Sequence, residues 1–238
     1  MNPVHKTPLD RHALELWQAA PRGQRLLQRQ VEEVSRRLPD LFGRHLLQVG
    51  SWGQGGELLA GCQMLHRAVL GTVRGLPGQT LVEPERLPLP AKSVDALLLA
   101  HVLDFAESPQ AVLREANRVL SERGRLIVLG FNPLSLWGAR QLLGLRDRTF
   151  PAMASFIRAR RLCDWLELLD FQVTELAPLS LARSPWTSPL AGAYALFAKK
   201  RVIPLSLLGR PHRSIVRPLI GTAALPGAHS TQNRDGKI

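Results

Sequence analysis

Two cysteines in 238 residues, Cys62 and Cys163, stand far apart with no partner spacing. That excludes a disulfide framework and a thiolate zinc site, and it leaves buried thiols in a reducing compartment as the expectation. Long apolar runs are missing as well. The longest, such as "ALLLA" and "LIVLGF", fall far short of the ~20 residues that span a bilayer, and the opening "MNPVHKTPLDRH" has no continuous apolar h-region. The expected protein is cytoplasmic, with no transmembrane segment. Neither a nucleophile-base-acid constellation nor a metal-ligand spacing stands out, and there is no internal repeat. What is present is a 45% hydrophobic composition, enough for one domain of ordinary to large size with a substantial core.

Acids are scarce: 19 Asp and Glu face 31 Lys and Arg, a net charge of +12. The excess is unevenly placed. From Lys199 onward the chain carries eight basic residues against the single acid Asp235, so +7 lies there and +5 on all the rest. This segment contains Pro and Gly and shows little apolar periodicity. Residues 206–238 are therefore expected as a basic tail outside the fold, either simply solvated or an arm that attracts RNA or phospholipid.

Along the chain, "QRLLQRQVEEVSRRL" (24–38) places Leu27, Val31, Val34 and Leu38 at helical intervals, and Pro39 follows. This predicts an amphipathic helix closing an N-terminal helical segment, residues 1–40. The stretch "HLLQVGSWGQGGELL" (45–59) has the shape of a strand, a glycine loop and then a helix. "HRAVLGTV" reads as a second strand, and "QTLVEPERLPLPAKS" as a third that leaves into a proline-marked loop. "VDALLLAHVL", from Val94, is apolar without alternation, as suits a strand covered on both faces. Ser108 and Pro109 can open the next helix, with Val112, Leu113, Ala116, Val119 and Leu120 as its buried stripe. Gly124 is expected to end it before the strand "RLIVLGF". A helix carrying Leu162, Trp165, Leu166 and Leu169 then precedes the strands "FQVTEL" and "AYALFAKK". No helical pattern separates those two convincingly, so they can pair antiparallel within an otherwise parallel α/β sheet.

The stretch "VEPERLPLPAKSVDALLLAHVLDFAESPQAVLREANRVLSERGRLIVLGFNP" (82–133) resembles the class I S-adenosyl-L-methionine-dependent methyltransferases of type 11. It is close to a small bacterial group that shares the "GFNP" after the fifth strand. The resemblance covers roughly residues 24–200. It implies a Rossmann-like α/β fold with seven strands, mostly parallel, and an antiparallel last strand. It also implies a methyltransferase domain over residues 41–205, S-adenosyl-L-methionine as cofactor, and methyl transfer to an unidentified acceptor.

Methyl transfer from a sulfonium is an in-line displacement, so the protein chiefly positions the reactants and can remove a proton. The cofactor of this family lies across the carboxyl ends of the strands, where strand order reverses. The resemblance places Gln48, Gly50, Ser51, Gly53, Glu83 and His101 there, with no metal. Several of these depart from the family pattern. Gln48 stands where an acid is usual, Trp52 where a glycine is, and the second strand "AVLGTVRG" ends without the ribose-binding acid. Glu83 fits the adenine-binding acid of the third strand, but Pro84 after it has no N–H to offer. A charged hydrogen bond is worth roughly 1.5 to 3 kcal/mol, so two missing acids weaken binding by ~10² to 10⁴-fold unless other groups compensate.

Each of these residues also has a plainer reading. Gln48 can contact ligand or merely satisfy its neighbours; Gly50 and Gly53 are turn glycines in either case; Glu83 can be a solvated loop carboxylate. His101, with Asp104 nearby, can act as a base or contribute only backbone. Asn132 is read as a helix N-cap, and Arg158, Arg160 and Arg161 as a solvated helix face. A methyltransferase-like scaffold that has lost catalysis, and binds a protein partner or RNA, is the main alternative. A nicotinamide-dependent oxidoreductase fits less well, because the first loop is not Gly-x-Gly-x-x-Gly.

Overall fold

The computed structural model describes residues 16–53, 56–72, 80–135, 157–180 and 191–201. These lie in the first of two compact units, Met1–Val202; the expected tail and the helix read after Asn132 fall outside the described residues. Helix α1 (Pro21–Arg37) starts on a proline, whose absent N–H leaves no donor wanting at a helix start. Seven strands follow: β1 (His45–Val49), β2 (His66–Gly71), β3 (Thr80–Leu81), β4 (Val94–Ala100), β5 (Leu120–Phe131), β6 (Phe171–Leu179) and β7 (Ala193–Lys200). Between them lie α2 (Val102–Phe105), α3 (Pro109–Val119) and α4 (Ala159–Leu168).

The strands form one sheet in the order β3-β2-β1-β4-β5-β7-β6. β1 to β5 pair parallel, while β7 runs antiparallel to both β5 and β6. The reversed last strand expected from "AYALFAKK" is therefore present. It lies between β5 and β6, with Ile127 opposite Phe197. Both faces are covered, which accounts for the unbroken apolar run in β4. Ala96, Leu98 and Ala100 join the core beneath α1, together with Leu26, Val34, Leu46, Ile127 and Leu129. Leu97 and Leu99 join the opposite core, with Val112, Leu113, Ala116, Leu162 and Leu166 of α3 and α4.

Three local expectations change. No α-helix follows the glycine loop; among the described residues of that crossover there is only the 3-10 turn Glu57–Leu59, whose Leu58 and Leu59 are buried. Four glycines between 53 and 61 oppose a helix there, and Gly56 starts the turn in the left-handed region at φ +85°. The sheet face this leaves is covered by α1. Gly124 does not end α3, which stops at Val119; β5 begins directly at Leu120, and Gly124 sits within it. The partner register jumps there from Val94–Leu120 to Ala96–Arg125. The chain bulges so tightly that a Cβ at 124 would lie 2.9 Å from both Leu120 Cβ and Ser121 O. Finally, the buried stripe of α1 is Leu26, Gln30 and Val34, one residue round from the expected Leu27 and Val31, which are only partly buried.

Candidate functional site

Strand order reverses between β1 and β4, so their carboxyl ends frame the position where an open α/β sheet takes a ligand. All six residues expected at a site lie on this side of the sheet, five of them at the ends of β1 and β4. Gln48 is wholly buried near the end of β1, and its Nε2 donates to the carbonyls of Gly50 (3.1 Å) and Trp52 (2.8 Å). It therefore ties down the loop that follows its own strand. Its Oε1 is buried with no hydrogen-bond partner among the described residues. Gly50 has φ +110°, and a Cβ there would meet Ala100 O at 2.5 Å and Val102 Cγ2 at 2.8 Å. Glycine is thus required by the close passage of the loop against the end of β4. Ser51 Oγ accepts from the Thr72 N–H at 3.0 Å, and Gln18 Nε2 donates to Ser51 O. Gly53 also has positive φ, +82°. Glu83 stands apart: it is exposed beyond β3, with its carbonyl accepting from the Arg86 N–H.

His101 follows β4 directly. It is a non-glycine residue at φ +57°, and it is 1% exposed. Trp52, beside the glycines, is only 2% exposed, and its indole lies over His101 with ring centroids 4.1 Å apart. Trp17, in the helical turn before α1, packs on Trp52 at 5.1 Å, and Phe131 at the end of β5 approaches His101 at 4.0 Å. The strand ends are filled by four aromatic rings.

The proton positions in this cluster follow from elementary donor chemistry. The indole N–H can only donate, so Trp52 Nε1, 2.7 Å from Gln30, fixes Gln30 Oε1 as the acceptor. Gln30 Nε2 then faces His101 Nε2 at 2.6 Å and must donate to it. His101 is therefore neutral with its proton on Nδ1, which donates to Asp104 Oδ2 at 2.9 Å. Asp104 Oδ2 also accepts the Phe131 N–H at 3.2 Å. A second proton on His101 would face the Gln30 amide, and turning that amide would face the indole N–H instead. Burial acts in the same direction, holding the imidazole well below its ordinary value. It pushes the Asp104 carboxyl well above its own, with the Phe131 N–H pulling the other way.

Sequence reasoning missed Gln30 and Trp17. The available signal for Gln30 was a lone amide at i+4 from Leu26 and i−4 from Val34 on an otherwise apolar stripe. Asn132 does act locally at a turn: its Oδ1 accepts the Leu134 N–H at 3.1 Å. Arg158, Arg160 and Arg161 are exposed as expected, with Arg161 over the Trp165 ring at 5.1 Å. Among the described residues there is no metal-binding cluster of three or more His, Cys, Asp or Glu, and no helix long and apolar enough to cross a membrane.

Residues 68–128 match the family described as a methyltransferase domain. That match spans β2 to β5 and begins after the glycine loop. Among solved structures, a SAM dependent methyltransferase from Archaeoglobus fulgidus superposes with a TM-score of 0.60 at 18% identity, covering 78% of this chain and 99% of the other. The [4+2]-cyclase SpnF superposes with a TM-score of 0.52 at 22% identity, covering 73% and 80%. At these identities the likeness establishes the fold. Over 206 residues the chain is 32% identical to the uncharacterized protein YafS of Escherichia coli K12, covering 82% of this chain and 84% of that one. The chain accordingly belongs to the family of YafS, on the class I fold of the S-adenosylmethionine-dependent methyltransferases.

Proposed function

We propose that the chain binds S-adenosyl-L-methionine at the carboxyl ends of β1, β3 and β4 and transfers its methyl group to an acceptor. The supporting observation is the glycine-bearing loop at the reversal of strand order. There Gly50 lets the backbone pass against β4, and buried Gln48 Oε1 is an acceptor wanting a donor. The fit is uneven along the cofactor. Gln48 suits an ammonium by position and chemistry, and exposed Glu83 suits the adenosine end. Between them the Trp52 ring must shift, and the Gly50 carbonyl already accepts from Gln48. When bound, the cofactor supplies an electrophilic methyl on sulfur. The chain's part is to hold that group in line with a nucleophile and to exclude water.

A second reading is supported by the same loop: a scaffold of this fold that binds a protein partner or RNA and transfers no methyl group. Trp52 fills the strand ends, among the described residues no helix presents its N-terminus to the loop, and the domain match starts beyond it. Isothermal titration of the full chain with S-adenosylmethionine and S-adenosylhomocysteine separates the two. Binding in the millimolar range or tighter is expected, and no heat from either ligand at millimolar concentration leaves the scaffold.

A further inference from the structure

We propose that the cavity at the amino-terminal end of β5 is a binding site for a small organic monocarboxylate with an apolar body, received by Arg125 and Lys199. It lies at the opposite end of the sheet from the glycine loop, so the inference goes beyond the proposed function and does not depend on it. Arg125 and Phe131 are six residues apart on β5, which puts the cavity about 20 Å from the ring cluster at ~3.3 Å per residue. The cavity measures about 230 Å³ and lies between the C-terminal end of α1 and the face of β5, β7 and β6 that α1 covers. That is smaller than the ~300–1,000 Å³ of sites for drug-sized ligands, so its occupant is small.

Ile127 and Phe197, opposite one another in register, give the cavity an apolar lining together with Leu41. Arg37 and Glu175 also line it, but they satisfy each other. Arg37 Nε donates to Glu175 Oε2 at 2.8 Å, and the guanidinium lies 5.7 Å from the Phe197 ring centroid. Thr174 Oγ1 is committed too, donating to Phe197 O at 3.1 Å. Arg125 differs: it is half-buried in the lining, and its side chain has no hydrogen-bond or ion-pair partner among the described residues. Lys199 stands opposite it on β7, half-buried and without a partner in the same sense. Each lies two residues from the Ile127–Phe197 pair, so both share that pair's face of the sheet. Like charges directly opposite one another on a sheet face are destabilising. An anion held between Arg125 and Lys199 replaces that repulsion with two attractions.

The charges choose among anions. In the lining Arg37 and Arg125 cancel Glu175 and the exposed Asp40, and Lys199 leaves one net positive charge. A single positive charge suits a monoanion better than a phosphate dianion, and the planar fork of Arg125 suits a carboxylate. The apolar lining then takes the body of the molecule.

The experiment is a two-dimensional amide NMR titration of the full chain with sodium benzoate, with benzamide as its neutral counterpart of similar shape, and with inorganic phosphate. Benzoate is expected to shift the Arg125, Ile127 and Phe197 signals saturably, and to bind at least about tenfold more tightly than benzamide or phosphate. R125Q should weaken benzoate at least about tenfold and K199Q in the same direction, while R160Q, which removes an exposed charge on α4, should leave it unchanged. The site is overturned by no saturable shift at these residues, by equal binding of benzamide, or by phosphate binding as tightly as benzoate. An unchanged affinity in folded R125Q, or an equal loss in R160Q, overturns it as well. Should R125Q fail to fold, K199Q and the benzoate-to-benzamide ratio on the native chain decide. None of these outcomes touches the binding of S-adenosylmethionine, which stands or falls by its own titration.

Discussion

The indole–amide–imidazole chain makes a quantitative claim about stability that a double-mutant cycle can test. W52F keeps an aromatic ring in the cluster but removes the one donor to Gln30 Oε1 among the described residues, leaving that oxygen without its partner. Q30M keeps an unbranched side chain of similar length in the α1 stripe, and leaves both the Trp52 N–H and His101 Nε2 without partners. Each buried orphan is worth about 1–3 kcal/mol. The two single variants together create three orphans, whereas the double variant leaves one, on His101. Any loss from trimming indole to phenyl appears in both W52F and the double variant and cancels. The double variant should therefore be less destabilised than the sum of the singles by about 2 kcal/mol or more. Urea unfolding at pH 7 measures this from the midpoints, provided the m-values agree across the four proteins. Additivity within about 0.5 kcal/mol would show that Trp52 and Gln30 do not depend on each other, and the assignment of proton positions would fall with it.

The tautomer has a direct spectroscopic consequence: ¹⁵N NMR should find His101 protonated on Nδ1 and bare on Nε2 at pH 7, and the reverse pattern contradicts the donor chain. Because burial lowers the His101 pKa from 6.5, its contribution to stability is fully present above about that pH and is lost as pH falls toward the folded value. Asp104, raised from 3.8, tilts stability the other way as pH rises through its own range. H101N tolerates the left-handed backbone without titrating, so its unfolding free energy should fall less than that of the native chain between pH 7 and 5.5; equal slopes refute the assignment. G50A should lose about 2 kcal/mol or more, since its Cβ would meet Ala100 O at 2.5 Å in a left-handed backbone; an unchanged melting temperature would contradict that packing. Truncation after residue 205 is expected, from charge and composition, to leave thermal unfolding nearly unchanged, and a large fall in melting temperature would place the tail in the fold. If the tail recruits RNA, the same truncation should reduce the salt-sensitive part of binding.

The sheet was legible because its signals are local and repeated. Unbroken apolarity in the run from Val94 means cover on both faces, and the lack of a convincing helical pattern between the last two strands left antiparallel pairing as the simple connection. Val34 and Leu38 of the expected stripe are fully buried, but Leu26 and Gln30 were misread as Leu27 and Val31 because Gln30 is polar. An amide inside a core becomes readable only once its partners are known, and those partners, Trp52 and His101, come from 22 and 71 residues away. The crossover after β1 shows another limit. Glu57, Leu58 and Leu59 are good helix formers, yet the flanking glycines and the cover supplied by α1 reduce them to one 3-10 turn.

The two sides of the strand ends resemble the methyltransferases unequally. On the β4 side the methyltransferase-domain match covers the sequence. On the β1 side Gln48 and Trp52 stand where the resembled family usually has an acid and a glycine, and among the described residues only a 3-10 turn follows. Apolar filling alone would close the strand ends, yet they contain a chain of three buried hydrogen bonds that fixes one tautomer of one histidine. Such a network is worthwhile only if every member is satisfied, since a half-satisfied one is worse than an apolar core. Its completeness means that the strand ends are specified for one arrangement. The fold does not say which chemistry that arrangement serves, since a [4+2]-cyclase shares it with the methyltransferases. Titration of the native chain with S-adenosylmethionine and S-adenosylhomocysteine tests whether that chemistry uses this cofactor at all.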